Sequence, residues 1–168
     1  MKAERIILSL VVITALLAML LTTSFGYAVE TNNIIKISDN PVLLSEQSNF
    51  KIAFVGKPSY SGEGKTELKI NGNSTANINV TGLKKVGDSA TAIVTIENKS
   101  KELHANVYTK VTNTNTEYFK VTATLADNVL EPKNGQTTLR ITVKLIKQPI
   151  EKVKTDISIK VIANPSNV

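Results

Sequence analysis

From Asn49 onward, apolar and polar residues alternate with a period of two, the pattern of strands that bury one face and wet the other. In the stretch from Phe119 to Leu125, residues Phe119, Val121, Ala123 and Leu125 share one face while Lys120, Thr122 and Thr124 take the other. The stretch 138–146 repeats this with Leu139, Ile141, Val143 and Leu145 inward and Arg140, Thr142 and Lys144 outward; 156–163 does so with Ile157, Ile159, Val161 and Ala163 inward. Shorter segments of the same kind occupy 49–55, 66–71, 76–81, 89–97 and 105–112. In the last of these, Ala105, Val107 and Val111 face one way and His104, Asn106, Tyr108 and Lys110 the other.

Turn-forming residues separate these runs, among them Gly56-Lys57-Pro58, Gly62-Glu63-Gly64, Asn71-Gly72-Asn73, Gly87-Asp88 and Pro132 to Gly135. All five prolines fall outside the periodic runs, as residues that cannot donate to a ladder should. No window after residue 28 holds helical spacing for three turns, and Leu43-Leu44 starts a short turn at most. About eight strands with short connections predict a single antiparallel β-sandwich, all-β, either jelly-roll or immunoglobulin-like. Connection order leaves no periodic trace, so the two remain open.

The N-terminus follows a different rule. Lys2 and Arg5 precede a nearly unbroken apolar run from Ile6 to Leu21, followed by a short polar stretch in which small Gly26 and Ala28 stand two apart. That is a signal-peptide pattern, with cleavage expected between Ala28 and Val29. An uncleaved membrane anchor is the alternative, but it calls for about 20 apolar residues, more than this run supplies. The chain then divides into a signal peptide (1–28), an N-terminal extension (29–48) and a sandwich domain (49–168), and the product is expected outside the cell or on its surface. Within the extension, Ile34, Ile35 and Ile37 mark a strand-like stretch, a candidate donor strand that can pair within its own domain or with a neighbouring copy.

Composition narrows the chemistry. The 168 residues include no Cys and one His, which removes disulfide frameworks, Cys-ligated metals and thiol catalysis, and leaves His104 alone to serve any triad or zinc site. His104 has no ligand spacing around it and reads as a surface histidine. No calcium loop pattern appears, no cofactor or metal site is expected, and the chain does not read as an enzyme. The segment 59–66 (SYSGEGKT) approaches a phosphate-binding loop but lacks its first glycine and runs into an alternating strand instead of a helix, so it reads as a hairpin turn. Three acceptor triplets begin at Asn73, Asn79 and Asn98, a number that chance supplies in an Asn- and Thr-rich chain.

The net charge is +6. Basic residues gather toward the C-terminus, at Lys133, Arg140, Lys144, Lys147, Lys152, Lys154 and Lys160. They form either a solvated face that guards sheet edges or a surface for anionic cell-wall polymer. A nucleic acid partner is not expected, because few aromatics stand on exposed strand faces to stack bases.

One stretch carries a family resemblance. Leu83-Lys84-Lys85-Val86-Gly87-Asp88 leads into a strand, then Ile96-Glu97-Asn98-Lys99-Ser100 and Leu103, then a strand with Ala105 and Val107. Asn115 to Val121 and the Leu130-Glu131-Pro132 to Leu139 stretch extend the match over roughly residues 50–163. This order resembles the TasA/camelysin group of secreted, fibre-forming biofilm-matrix proteins. The resemblance implies a jelly-roll subunit that polymerises when the N-terminal segment of one copy completes the sheet of the next. It also brings in the metalloprotease activity attributed to camelysin, against which the single histidine speaks. Two functions follow: a structural protein that self-associates into fibres or joins other matrix proteins, or a monomeric envelope-binding module that uses a basic face.

Overall fold

A computed structural model describes residues 30–31, 33–39, 50–71 and 75–166, and within them every regular element is a strand. In chain order they are β1 (Glu30–Thr31), β2 (Asn33–Asp39), β3 (Ile52–Gly62), β4 (Lys65–Asn71), β5 (Thr75–Thr81), β6 (Ser89–Asn98), β7 (His104–Asn113), β8 (Phe119–Leu125), β9 (Val129–Leu130), β10 (Gly135–Leu145), β11 (Lys154–Thr155) and β12 (Ile157–Ser166). All eight segments expected from alternation are present, with ends shifted by a few residues. The proposed signal peptide, with Gly26, Ala28 and Val29, and the Leu43-Leu44 turn lie outside the described residues.

Two sheets face each other. One has the order β3-β6-β10-β8 and the other β4-β5-β2-β12-β7-β9, with β1 and β11 forming a short separate ladder. The alternation read from sequence points each inner face at the other sheet: Leu139, Ile141, Val143 and Leu145 of β10 are fully buried, as are Ile159, Val161 and Ala163 of β12. Phe119, Ile96, Ile78 and Leu130 fill the same core. The result is a β-sandwich.

Among the described strands only β4 and β5 are consecutive in the chain and paired with each other. An immunoglobulin sandwich keeps several consecutive strands in one sheet. Here the chain crosses between sheets at almost every connection.

Two local readings change. Strand β3 does not stop at Gly56-Lys57-Pro58 but runs through it, because the extra residues bulge between Val55 and Ser59, where the pairing with β6 shifts register. Pro58 therefore sits inside a strand, in the bulge of an edge strand, where a missing N–H costs no ladder bond; Pro165 also falls within a strand, in β12 past Ala163, where the pairing with β2 has ended. Consequently 59–62 is strand, and Glu63-Gly64 carries the chain across to the other sheet; the expected hairpin between β3 and β4 does not form.

The turn before β10 is tight. Lys133 and Asn134 both have positive φ (59° and 76°), and a Cβ on Gly135 would lie 2.4 Å from the Glu131 carbonyl oxygen and 2.6 Å from its nitrogen. Those are backbone atoms that cannot rotate away. Gly135→Ala should cost about 3 kcal/mol in urea melts. Gly56→Ala meets nothing within 4 Å and should cost only the ~1–2 kcal/mol of left-handed backbone. Equal losses would mean that steric contact at Gly135 is not the cause.

Candidate functional site

The candidate donor strand has a defined place. Strand β2 lies between β5 and β12, antiparallel to the first and parallel to the second. Ile35 pairs with Ala76 and Ile159, and Ile37 with Val161, all three of which have buried side chains; Ile34 pairs with Asn77 and Ser158, which are exposed. The parallel register continues through the first ladder, since Glu30 pairs with Lys154 and Thr31 with Thr155. The N-terminal segment thus pairs with the C-terminal one at Glu30–Thr31 and again over residues 34–39, and β2 lies in a slot whose two walls are β5 and β12.

Two of the other sheet edges are obstructed by side chains. At the β8 end of the small sheet, the Phe119 carbonyl accepts a hydrogen bond from Asn113 Nδ2 (2.8 Å) and the Ala123 carbonyl accepts one from Thr109 Oγ1 (2.9 Å). At the β4 end of the large sheet, the Tyr60 hydroxyl accepts from Leu68 N (3.0 Å) and donates to the Leu68 carbonyl (3.1 Å), and Lys65, Glu67 and Lys69 stand exposed along the strand. Strand β9 offers only two residues. Edges guarded in these ways resist pairing with another molecule.

The motifs that carry the family resemblance are structural fastenings. Asn98 is fully buried; its Nδ2 donates to the carbonyls of Leu103 (2.8 Å) and Leu130 (3.1 Å), and its Oδ1 accepts from Ser100 N (3.0 Å). Ser100 Oγ accepts from Lys51 N at 3.1 Å, while the Lys133 and Asn134 amides donate to the carbonyls of Ser100 and Asn98. Asn98 and Ser100 together, through side chains and carbonyls, tie the start of β3, the end of β6, β9 and the β10 turn. This bonding also leaves Asn98 unable to serve as a glycan acceptor in the folded chain. Asp88 accepts from the Lys84 and Lys85 amides (2.8 and 3.0 Å), and these backbone bonds hold its carboxyl below the usual range. Glu63 is likewise lowered, chiefly by the Ser89 amide that donates to it at 2.9 Å. Both carboxylates close turns.

His104 Nδ1 lies 3.4 Å from Glu131 Oε2, and its side chain is only 13% exposed, less open than a surface histidine. A hollow of about 320 Å³ beside β7 and β8 is lined by Val111, Phe119, Val121 and Ile146 together with Asn113, Thr116 and Lys120. Lys120 is the titratable group among these lining residues. Among the described residues no three carboxylate or histidine side chains gather as a metal site would require.

The C-terminal basic cluster is divided by the fold. Arg140 and Lys144 stand on the outer face of the small sheet, where Lys144 pairs across to Lys120. Lys160 stands on the outer face of the other sheet. Sequence reasoning missed this because alternation assigns a face within a strand but not the sheet to which the strand belongs. Compared with protein-family models, with characterised proteins and with solved structures, the chain matches none.

Proposed function

We propose that the chain is an exported structural subunit that assembles into, or decorates, an extracellular fibre by passing β2 into the slot of a neighbouring copy. The observation that carries this reading is the position of β2. It is an N-terminal strand joined to the rest of the chain through residues 40–49, yet it occupies an interior place between β5 and β12. A strand so placed can be supplied by the same chain or by the next with identical backbone pairing. The supplied-by-next arrangement is head-to-tail and does not close, which gives an open filament. Side chains guard the edges at β4 and β8 and a bulge interrupts the β3 edge, which favours the slot as the route for growth. The signal peptide and the matrix location belong to the same proposal, as does the absence of catalytic work.

The chain contains no cysteine, so single thiols report cleanly. Lys36 pairs with Lys160 across the β2/β12 ladder, and both side chains are exposed. Neighbouring Cβ atoms in such a pair stand about 5 Å apart. Lys36→Cys and Lys160→Cys variants of residues 29–168, mixed in equal amounts and treated with a short thiol cross-linker, should give covalent heterodimers under conditions where electron microscopy reveals fibres. Fibres without heterodimers would refute strand exchange; uniform monomers under all conditions would refute assembly itself.

A further inference from the structure

The outer face of the six-stranded sheet carries a row of like charges. Lys36 on β2 pairs with Lys160 on β12, and Lys160 pairs with Lys110 on β7, so three exposed lysines stand side by side on three adjacent strands. Strands are spaced about 4.8 Å apart, so the row spans roughly 10 Å at the backbone. It continues through Thr75 to Asn71 without an acid. The row on one side is Lys69, Asn77, Ile34, Ser158 and Thr112, and that on the other contains Ser38, Ile162 and Tyr108; neither contains a carboxylate.

Like charges directly opposite one another destabilise a sheet. Lysines that guard against mispairing belong on edge strands. Lys160 is flanked by paired strands on both sides and Lys36 sits between Thr75 and Lys160, so edge protection does not account for these two; Lys110 stands beyond the two-residue β9 ladder, where β7 has one paired neighbour. A linear anion laid across the strands would relieve the repulsion, and the row presents it with three ammonium groups on a rigid backbone, with Lys69 alongside.

We propose that this lysine row is a docking surface for a linear phosphate polymer of the cell-envelope type, one chain wide, lying across β2, β12 and β7. The surface is independent of whether β2 comes from the same copy or the next, since the pairing that aligns the lysines is the same. Because Lys36 enters the row only when β2 is seated, bound polymer favours the seated strand.

The test uses residues 29–168, which contain every described element, and long-chain inorganic polyphosphate as the probe. The row variant carries Lys36→Gln, Lys110→Gln and Lys160→Gln; the control variant removes equal charge from the opposite face, with Lys120→Gln, Arg140→Gln and Lys144→Gln. For a single-stranded phosphate polyanion, three lost contacts should flatten the slope of log K against log salt by about 2 and weaken low-salt binding at least about tenfold. The control should retain the parent slope. Thermal melts of the row variant should match or exceed the parent, which separates lost binding from lost fold, and polyphosphate should raise the parent melting temperature more than the row variant's. Equal losses in the two variants would overturn the proposal, because net charge alone would then explain binding. So would an unchanged row variant, or tighter binding of duplex DNA than of polyphosphate at matched phosphate concentration and salt.

Discussion

Deleting residues 29–39 should leave a chain that no longer folds as a monomer, and a separate peptide of the same sequence should restore it. Strand β2 shares six residue pairs with β12 and four with β5, so its loss opens two ladders at once in the middle of a sheet. Each lost backbone hydrogen bond is worth about 0.5–1.5 kcal/mol net. The exposed row of Ala76, Ile78, Ile159 and Val161 adds the cost of wetting side chains that are now almost fully buried. Against a typical total stability of about 5–15 kcal/mol, that is enough to unfold the domain or to drive it to pair with other copies. Circular dichroism and size-exclusion chromatography, with and without peptide, read the outcome. A deleted chain that stays monomeric and melts within a few degrees of the parent would show that β2 is an accessory, and strand exchange would then have no energetic basis.

Asn98→Ala should cost about 2–4 kcal/mol. The substitution removes the partner of the Leu130 carbonyl and the Ser100 amide at buried positions and of the Leu103 carbonyl at a part-buried one, and stranded buried groups cost more than the hydrogen bonds themselves are worth. For a domain of this size the melting temperature should fall by roughly 5–15 °C. Gln136→Ala is the matched control, since its amide reaches only Glu97 at the surface and should shift stability by less than ~0.5 kcal/mol. An Asn98→Ala variant as stable as the control would mean that water replaces the amide without penalty.

Much of the fold is legible in the sequence. Alternation located β4 to β8, β10, β12 and the first half of β3, because in a two-layer protein each strand must bury one face and wet the other. The second half of β3 escaped because a bulge at Gly56-Lys57-Pro58 imitates the end of a strand, and β9 and β11 because two residues have no period. Pairing was not legible at all. Nothing in the Ile34-Ile35-Lys36-Ile37 stretch shows that its partners are β5 and β12, since register is decided by which buried rows meet across the core. The lysine row was hidden for the same reason: Lys36, Lys110 and Lys160 are far apart in sequence and adjacent only through the ladders. Asn98 offered one signal, an amide at the end of a strand followed by Ser100, and that signal suggested a glycan acceptor as readily as a buried fastening.

The parallel ladder also bears on the order in which the chain becomes whole. Each residue from Glu30 to Asp39 that pairs with the C-terminal segment finds a partner 124 positions later (30 with 154, 39 with 163). On the ribosome the partner does not yet exist when the first strand emerges, and synthesis at about 5–20 residues per second leaves an interval of several seconds or more before it does. Through that interval β2 has one wall of its slot at most, and the large sheet cannot close. A chain with this wiring stays open while it is being made, and its large sheet closes only after its last strand has been added to the first.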